Sequence, residues 1–149
     1  MPESAVLRGY ILAFDFGLKR IGIAVGQFTT MTASSLETVA RGKSPDWNAI
    51  DRLIKEWKPA NLLVGLPLGS DDEETPMSRA AQKFGRQLQN RYHLNVMFAD
   101  ERLSSRAAEG RFAELRSQGS LRRKHSRNLD AMAAQIILES WLQTCAEKT

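Results

Sequence analysis

Hydrophobic residues fall into short runs along the first third of this chain, and these runs predict β-strands. Residues 10–16 read Y-I-L-A-F-D-F, an almost continuous apolar run that is typical of a central strand covered on both faces. Residues 21–27, I-G-I-A-V-G-Q, predict a second strand. Because only a short turn separates the two, they are expected to form an antiparallel hairpin. Alternation through Leu36 and Val39 predicts a third strand at residues 35–40.

Helix and strand patterns then alternate along the middle of the chain. Residues 47–57 carry apolar side chains on one side only, which predicts a helix with Ser44 or Asp46 as its N-cap. Residues 61–67, N-L-L-V-G-L-P, predict a buried fourth strand. Residues 94–99 predict a fifth strand.

Three further helices are predicted after the fourth strand. Thr75 and Pro76 form an N-cap and N1 pair that opens the first of them, before the fifth strand. Residues 104–115 predict the next. The last helix is expected to begin at Asn128, with an apolar side made of Leu129, Met132, Ala133, Ile136, Ile137 and Trp141.

The element order β-β-β-α-β-α-β-α-α predicts an α/β fold. We expect a mixed five-stranded sheet flanked by helices, in which three antiparallel strands are followed by parallel additions through right-handed crossovers. No internal repeat and no linker interrupts the pattern. Residues 1–149 are therefore expected to form a single domain, with frayed termini at 1–8 and 143–149.

The composition narrows the range of functions. A hydrophobic fraction of 42% and a charged fraction of 26% are typical of a globular domain, and the net charge of +4 alone is a weak sign of a polyanionic partner. The single cysteine, Cys145, excludes an internal disulfide, and with only His93 and His125 beside it a zinc site is not expected. Because the sequence has no secretory signal pattern and no long apolar run, we expect a cytoplasmic protein without a membrane partner.

Asp15 is a carboxylate inside the predicted first strand. Burying an ionised carboxylate without a partner costs several kcal/mol or more, so its position predicts a metal ion or a bound cationic group. The alternative is that Asp15 caps the turn at Gly17. Asp100 and Glu101 follow the fifth strand, and Asp130 lies in the first turn of the last helix.

These acids are expected to meet at one edge of the sheet, because ligands of open α/β sheets gather outside the strand ends. Oxygen-only ligands suit Mg²⁺ or Mn²⁺, and such sites hydrolyse phosphodiester bonds, in some cases with two ions about 4 Å apart. Each acid has an alternative role: Asp130 as a partner of the helix dipole, Glu101 as an exposed ion pair with Arg102, and Asp100 as a residue that orients Arg102 or a backbone turn.

A strongly basic segment lies between the fifth strand and Asp130. A cationic segment beside an acidic metal site suits a nucleic-acid backbone, although a solvated loop is the alternative. Lys19 and Arg20, in the first hairpin, are expected to add to the same surface. The candidate nucleic-acid-binding residues of the segment are Arg111, Arg116, Arg122, Arg123, Lys124 and Arg127.

Four motifs in order resemble the YqgF/RuvX family of pre-16S rRNA nucleases, also called Holliday-junction-resolvase-like proteins. They are L-A-F-D-F-G-L-K-R-I-G-I-A-V-G, L-V-G-L-P-L, F-A-D-E-R-L-S-S and L-D-A-M-A-A-Q-I-I-L-E-S, and the similarity spans residues 10–142. The resemblance implies an RNase H-like fold and a divalent-metal nuclease that matures the 5′ end of 16S rRNA. It carries the family's acidic positions to Asp15, Glu101 and Asp130.

Two positions depart from the pattern of the related junction resolvases. Those proteins carry an acid on the fourth strand, where this chain has Gly65-Leu66-Pro67. They also carry a second acid one turn along the last helix, where this chain has Ala133. The sequence therefore leaves open whether one or two metal ions bind.

Three other functions stay open on the sequence. The first is resolution of branched DNA, which suits a two-fold dimer, so the choice between monomer and homodimer is also open. The second is a non-catalytic RNA-binding factor in assembly of the small ribosomal subunit. The third is a nucleotide-binding lobe like those of actin-like ATPases, which is disfavoured because such enzymes need two lobes.

Overall fold

The computed structural model describes residues 9–17, 19–66, 75–100 and 126–147. Within these ranges the predicted fold class is confirmed. The strands are β1 (Tyr10–Phe16), β2 (Arg20–Gln27), β3 (Thr32–Ala40), β4 (Asn61–Leu66) and β5 (Asn95–Asp100), and the helices are α1 (Trp47–Trp57), α2 (Pro76–Tyr92) and α3 (Ser126–Glu147). The helix predicted at 104–115 lies outside the described residues. None of the described helices is long and apolar enough to cross a membrane.

The five strands form one mixed sheet in the order β3-β2-β1-β4-β5. β1 pairs antiparallel with β2, and β2 pairs antiparallel with β3. β4 and β5 are parallel additions on the other side of β1. β1 is therefore the central strand, as its continuous apolar run predicts.

β3 starts three residues earlier than the sequence predicts, at Thr32 rather than Ser35. Its first residues are hydroxyl-bearing or small, and they extend the ladder along Val25–Gln27 without contributing to an apolar pattern. Between Ile23 and Ala24 the register shifts, and Leu36 of β3 is the extra residue, as in a β-bulge. Gln135 of α3 accepts hydrogen bonds from the backbone N–H and the hydroxyl of Ser35, at 3.0 and 2.7 Å.

One face of the sheet packs against α1 and α2, and its core is rich in large side chains. Phe84 of α2 is central there, since its ring lies 5.5 Å from that of Phe14, 4.9 Å from Phe16 and 5.8 Å from Trp47. The buried residues of this face are Leu12, Phe14, Phe16, Ile21, Ile23, Val25, Val39, Ile50, Leu53, Leu62, Val64, Ala81, Phe84 and Leu88.

An ion pair fastens the two helices of this face to each other. Arg91 of α2 donates two hydrogen bonds to the Asp51 carboxylate of α1, at 2.8 and 2.7 Å, and the Tyr92 hydroxyl donates a third. The bonds from Arg91, and next the bond from Tyr92, lower the pKa of Asp51 to about 2. The helices also begin as predicted, because Asp46 caps α1 and Thr75 caps α2.

The opposite face packs against α3 and is lined by smaller side chains. α3 approaches the sheet closely at Gly26, where an added Cβ would lie 2.7 Å from the Leu138 side chain. The buried residues of this face are Ile11, Ala13, Ala24, Leu63, Ala99, Ala134, Ile137, Leu138 and Leu142.

The buried side of α3 differs from the predicted apolar side. Ala134, Leu138 and Leu142 are buried, whereas Met132 and Ala133 are only partly buried. Apolar residues surround this helix, so periodicity alone does not define which side faces the sheet. The helix also continues to Glu147, through residues that the sequence analysis expected to be frayed.

Candidate functional site

Asp15 lies one residue before the end of β1, on the α3 face of the sheet. Ile11 and Ala13 belong to the core under α3, whereas Leu12 and Phe14 belong to the core under α1 and α2. Because side chains alternate along a strand, Asp15 is on the side of Ala13. The residue is partly buried, so its carboxylate stands at the rim of the α3 core rather than free in solvent.

The strands beside Asp15 carry glycine at its level. Asp15 pairs with Gly22 of β2, and Gly65 of β4 follows Val64, which pairs with Phe14. Gly65 in turn pairs with Ala99 of β5. No large side chain of the neighbouring strands therefore stands next to the carboxylate on the α3 face.

Asp100 lies at the same end of the sheet but alternates with Ala99, which belongs to the core under α3. Its side chain is therefore on the α1 and α2 face, opposite that of Asp15. β5 therefore places Asp100 at the same end of the sheet as Asp15, but the carboxylates of Asp15 and Asp100 lie on opposite faces.

The direction of α3 can be read from three contacts with the sheet. Trp141 packs against Phe28, Leu138 lies over Gly26, and Gln135 binds Ser35, which pairs with Ala24. The contacts therefore move toward the Asp15 end of the sheet as α3 is followed from Trp141 to Gln135. The N-terminus of α3 lies toward the end of the sheet that holds Asp15.

Asp130 is the fifth residue of α3, eight positions before Leu138. Those eight positions correspond to about 12 Å of helix. Leu138 lies at the level of Gly26 and its partner Ile11, and the four residues from Ile11 to Asp15 span about 13 Å of strand. The α3 backbone at Asp130 is therefore expected near the level of Asp15.

Most of the remaining predicted site residues lie outside the described part of the chain. Glu101, Arg102 and the basic residues Arg111, Arg116, Arg122, Arg123 and Lys124 fall in the range 101–125, outside the described residues. Arg127 and Asp130 are in α3, but their side chains are not described. Among the described residues no three His, Cys, Asp or Glu side chains gather as a metal site, so the convergence of Asp15, Glu101 and Asp130 stays a prediction.

Lys19 and Arg20 lie in the hairpin that follows Asp15, as predicted, with Lys19 exposed and Arg20 partly buried. The sequence analysis missed Arg41, just after β3. Its guanidinium donates a 2.7 Å hydrogen bond to the Gly17 carbonyl and lies 4.2 Å from the Phe16 ring centre. No local pattern reveals this contact, because it depends on the register that pairs Arg20 with Ala40.

Solved structures with the same fold define the class of this domain. The structure titled "T. thermophilus RuvC in complex with Holliday junction substrate" aligns with a TM-score of 0.55 at 14% identity, over 93% of this chain and 96% of that one. The yeast mitochondrial Holliday junction resolvase Ydc2 aligns with a TM-score of 0.50 at 11% identity, over 92% and 79%. The domain has the RNase H-like fold of these resolvases.

Sequence comparison places the chain in a particular family. A family model described as "RuvX: Holliday junction resolvase" matches residues 9–144. A relative from Xanthomonas euvesicatoria pv. vesicatoria is 46% identical over 145 residues, 95% of this chain and 94% of the relative. One from Xanthomonas campestris pv. campestris is 43% identical over 152 residues, 100% and 98%. Both are named "Putative pre-16S rRNA nuclease", and the chain belongs to the RuvX family.

Proposed function

We propose that this protein is a divalent-metal-dependent endonuclease that hydrolyses phosphodiester bonds of structured RNA. Its proposed role is processing of the 5′ end of pre-16S rRNA in the cytoplasm. Membership of the RuvX family and the names of the relatives support this reaction class. The observation that carries the proposal is the position of Asp15, which is partly buried on the α3 face of the sheet, beside glycines of the neighbouring strands. The N-terminal part of α3, which contains Asp130, extends toward this end of the sheet.

The proposed metal ligands are Asp15, Glu101 and Asp130, with Mg²⁺ or Mn²⁺ as the ion. The fit rests on the chemistry of the donor set, because carboxylate oxygens select hard divalent ions. When bound, such an ion activates water for attack and stabilises negative charge on the departing oxygen. Gly22 and Gly65 place no side chain of β2 or β4 beside the Asp15 carboxylate.

Strand alternation favours Glu101 over Asp100 as the ligand from this part of the chain. Asp100 faces away from Asp15, and the next residue along the chain is Glu101. We assign Asp100 and Arg102 an orienting role rather than a metal-binding one. The cationic residues proposed to hold the nucleic-acid backbone are Lys19, Arg20, Arg111, Arg116, Arg122, Arg123, Lys124 and Arg127.

The test is a cleavage assay of highly purified protein with Mg²⁺, Mn²⁺ or EDTA, on a pre-16S rRNA 5′ leader. We expect Asp15→Asn to reduce cleavage by at least about 100-fold, because changes around metal ligands already cost 10–100-fold. Asp46→Asn is the matched control: it also removes one carboxylate, but asparagine caps a helix as well as aspartate does. Metal-independent cleavage, or equal activity of Asp15→Asn and wild type, would contradict the proposal.

Resolution of branched DNA is the second candidate function, and the fold shared with the RuvC complex favours it. Competition separates the two candidates. If RNA is the substrate, an unlabelled RNA leader suppresses cleavage of the labelled leader at a lower concentration than an unlabelled four-way DNA junction does. The reverse order, with paired symmetric cuts in the junction, would assign the protein to DNA, and sedimentation would then be expected to show a dimer.

A further inference from the structure

A cationic surface lies at the Asp15 end of the sheet, and its residues come from outside the basic segment of residues 111–127. It consists of Lys19, Arg41 and Lys43, and we refer to it as the cationic ledge. We propose that the cationic ledge binds the phosphodiester backbone of the nucleic acid on the β3 side of Asp15, without reading sequence. This inference rests on the proposed function. It adds a surface over which the bound nucleic-acid strand extends away from Asp15.

The ledge is built from two loops held side by side. The backbone N–H of Arg41 donates a 2.9 Å hydrogen bond to the Lys19 carbonyl, so the hairpin turn and the loop after β3 are adjacent. Lys43 is two residues further on, within about 7 Å of chain. That loop is tight, since Arg41 forms a bridge with Pro45 and Gly42 donates to the Ser44 carbonyl at 3.3 Å.

The Arg41 side chain contacts Phe16 and Gly17, the two residues that lead into the hairpin turn of Lys19. It donates to the Gly17 carbonyl at 2.7 Å and stacks on Phe16, whose ring stacks in turn on Phe84 at 4.9 Å. Gly17 itself donates to the Arg20 carbonyl at 3.0 Å, and an added Cβ there would lie 2.7 Å from that oxygen. Because these contacts fix Gly17 and Arg20 before a ligand arrives, binding costs little ordering of the backbone at these two residues.

The acidic residues close to the ledge are engaged elsewhere. Asp46 accepts a 3.2 Å hydrogen bond from the Ala49 N–H at the start of α1. Glu37 forms an ion pair with Arg52. Within the described parts of the chain no carboxylate pairs with Lys19 or Lys43, and both lysines are exposed. Two solvated ammonium groups on a fixed surface suit phosphate contacts that release condensed counterions.

The position of the ledge gives a path for the substrate. Lys19 is four residues after Asp15, at the same end of the sheet, and the Arg41 guanidinium lies against Phe16 on the α1 and α2 face. The Asp15 carboxylate is on the other face. A nucleic-acid strand that passes Asp15 can therefore continue over the end of the sheet to the cationic ledge. The ring of Phe16, against which Arg41 packs, is buried, so this ring is not open to stacking with bases.

The experiment measures binding without cleavage, by anisotropy of a short fluorescein-labelled single-stranded RNA across a salt series. All proteins carry Asp15→Asn. The test variant is Lys19→Ala with Lys43→Ala, and the control is Lys55→Ala with Lys83→Ala, which removes the same charge from the exposed surfaces of α1 and α2. The test variant is expected to lower the slope of log K against log salt by about 1.4, which corresponds to about 25-fold weaker binding at about 0.1 M salt.

The control is expected to bind as the parent protein does, with an unchanged slope. If the test variant and the parent show equal slopes of log K against log salt, and circular dichroism shows that both are folded, the proposal that the cationic ledge binds nucleic acid is wrong. An equal loss in test and control would also overturn it, because net charge rather than position would then explain the effect. The measurement is independent of cleavage, so a wild-type protein without nuclease activity would defeat the proposed function while leaving this result interpretable.

Discussion

The two faces of the central sheet differ in what their residues are suited to do. The face under α1 and α2 is built from large rings and branched side chains around Phe84, and the Asp51–Arg91 ion pair fastens its two helices. The face under α3 is lined by smaller side chains, and it carries Asp15. The comparison indicates that the larger buried side chains lie on one face, whereas the proposed chemistry lies on the other. Strand alternation makes this division possible, since β1 contributes Phe14 to one face and Asp15 to the next.

The strongest test of this division is removal of the largest ring on the first face. Phe84→Ala is expected to lower the free energy of unfolding by about 3–5 kcal/mol, because Phe84 is fully buried and contacts three other rings. Urea unfolding measures the loss. Cleavage per folded molecule should stay close to wild type. Complete loss of cleavage in a Phe84→Ala protein that is still folded would show that activity depends on packing at the α1 and α2 face.

On the α3 face, Gly26→Ala is expected to cost about 1–3 kcal/mol. The new Cβ would lie 2.7 Å from both the Leu138 side chain and the Thr32 carbonyl, so the β2–β3 pairing and the Leu138 contact of α3 must both shift. Here we expect activity to fall together with stability, because α3 carries Asp130. Gly42→Ala is the control, since nothing lies within 4 Å of its added Cβ. A Gly26→Ala protein with wild-type activity would break the link between α3 position and the site.

The smallest expected effect concerns the ion pair between α1 and α2. The bonds from Arg91 hold the pKa of Asp51 at about 2, below its ordinary value of 3.8, so the pair stabilises the folded state fully above about pH 4 and ceases to do so as the pH falls through 2. Because the pair is largely exposed, its contribution is no more than about 1 kcal/mol. Asp51→Asn should lower stability by that amount at neutral pH and flatten its decline between about pH 4 and 2. An identical pH profile in the variant would rule out this role of Asp51.

Much of this fold follows from local patterns. The apolar runs of β1 and β4 and the capped starts of α1 and α2 are visible in the sequence, because burial and capping leave residue signatures. The start of β3 is not, since an edge strand of serine and threonine has no apolar alternation. The face of α3 is hidden by apolar residues on all sides, and its contact surface depends on Gly26 across the sheet.

The candidate site was predictable to a lesser extent. Asp15 stands out because a charge inside an apolar strand is unusual, and the structure puts it at the rim of the α3 core. Asp100 faces the opposite side because side chains alternate along β5 and Ala99 belongs to the core under α3, which the sequence alone does not show. The contact of Arg41 with Gly17 joins residues far apart in sequence, so no local motif encodes it.

The central claim is that Asp15 and Asp130 hold one divalent ion together, and Mn²⁺ binding tests it most directly. Electron paramagnetic resonance titrations would compare wild type, Asp15→Asn, Asp130→Asn and the double variant, each checked for folding by circular dichroism. We predict that each single variant weakens Mn²⁺ binding by at least about 10-fold and that the double variant adds little further loss, because both residues bind the same ion. Wild-type Mn²⁺ affinity in Asp15→Asn, or fully additive losses, would contradict the account.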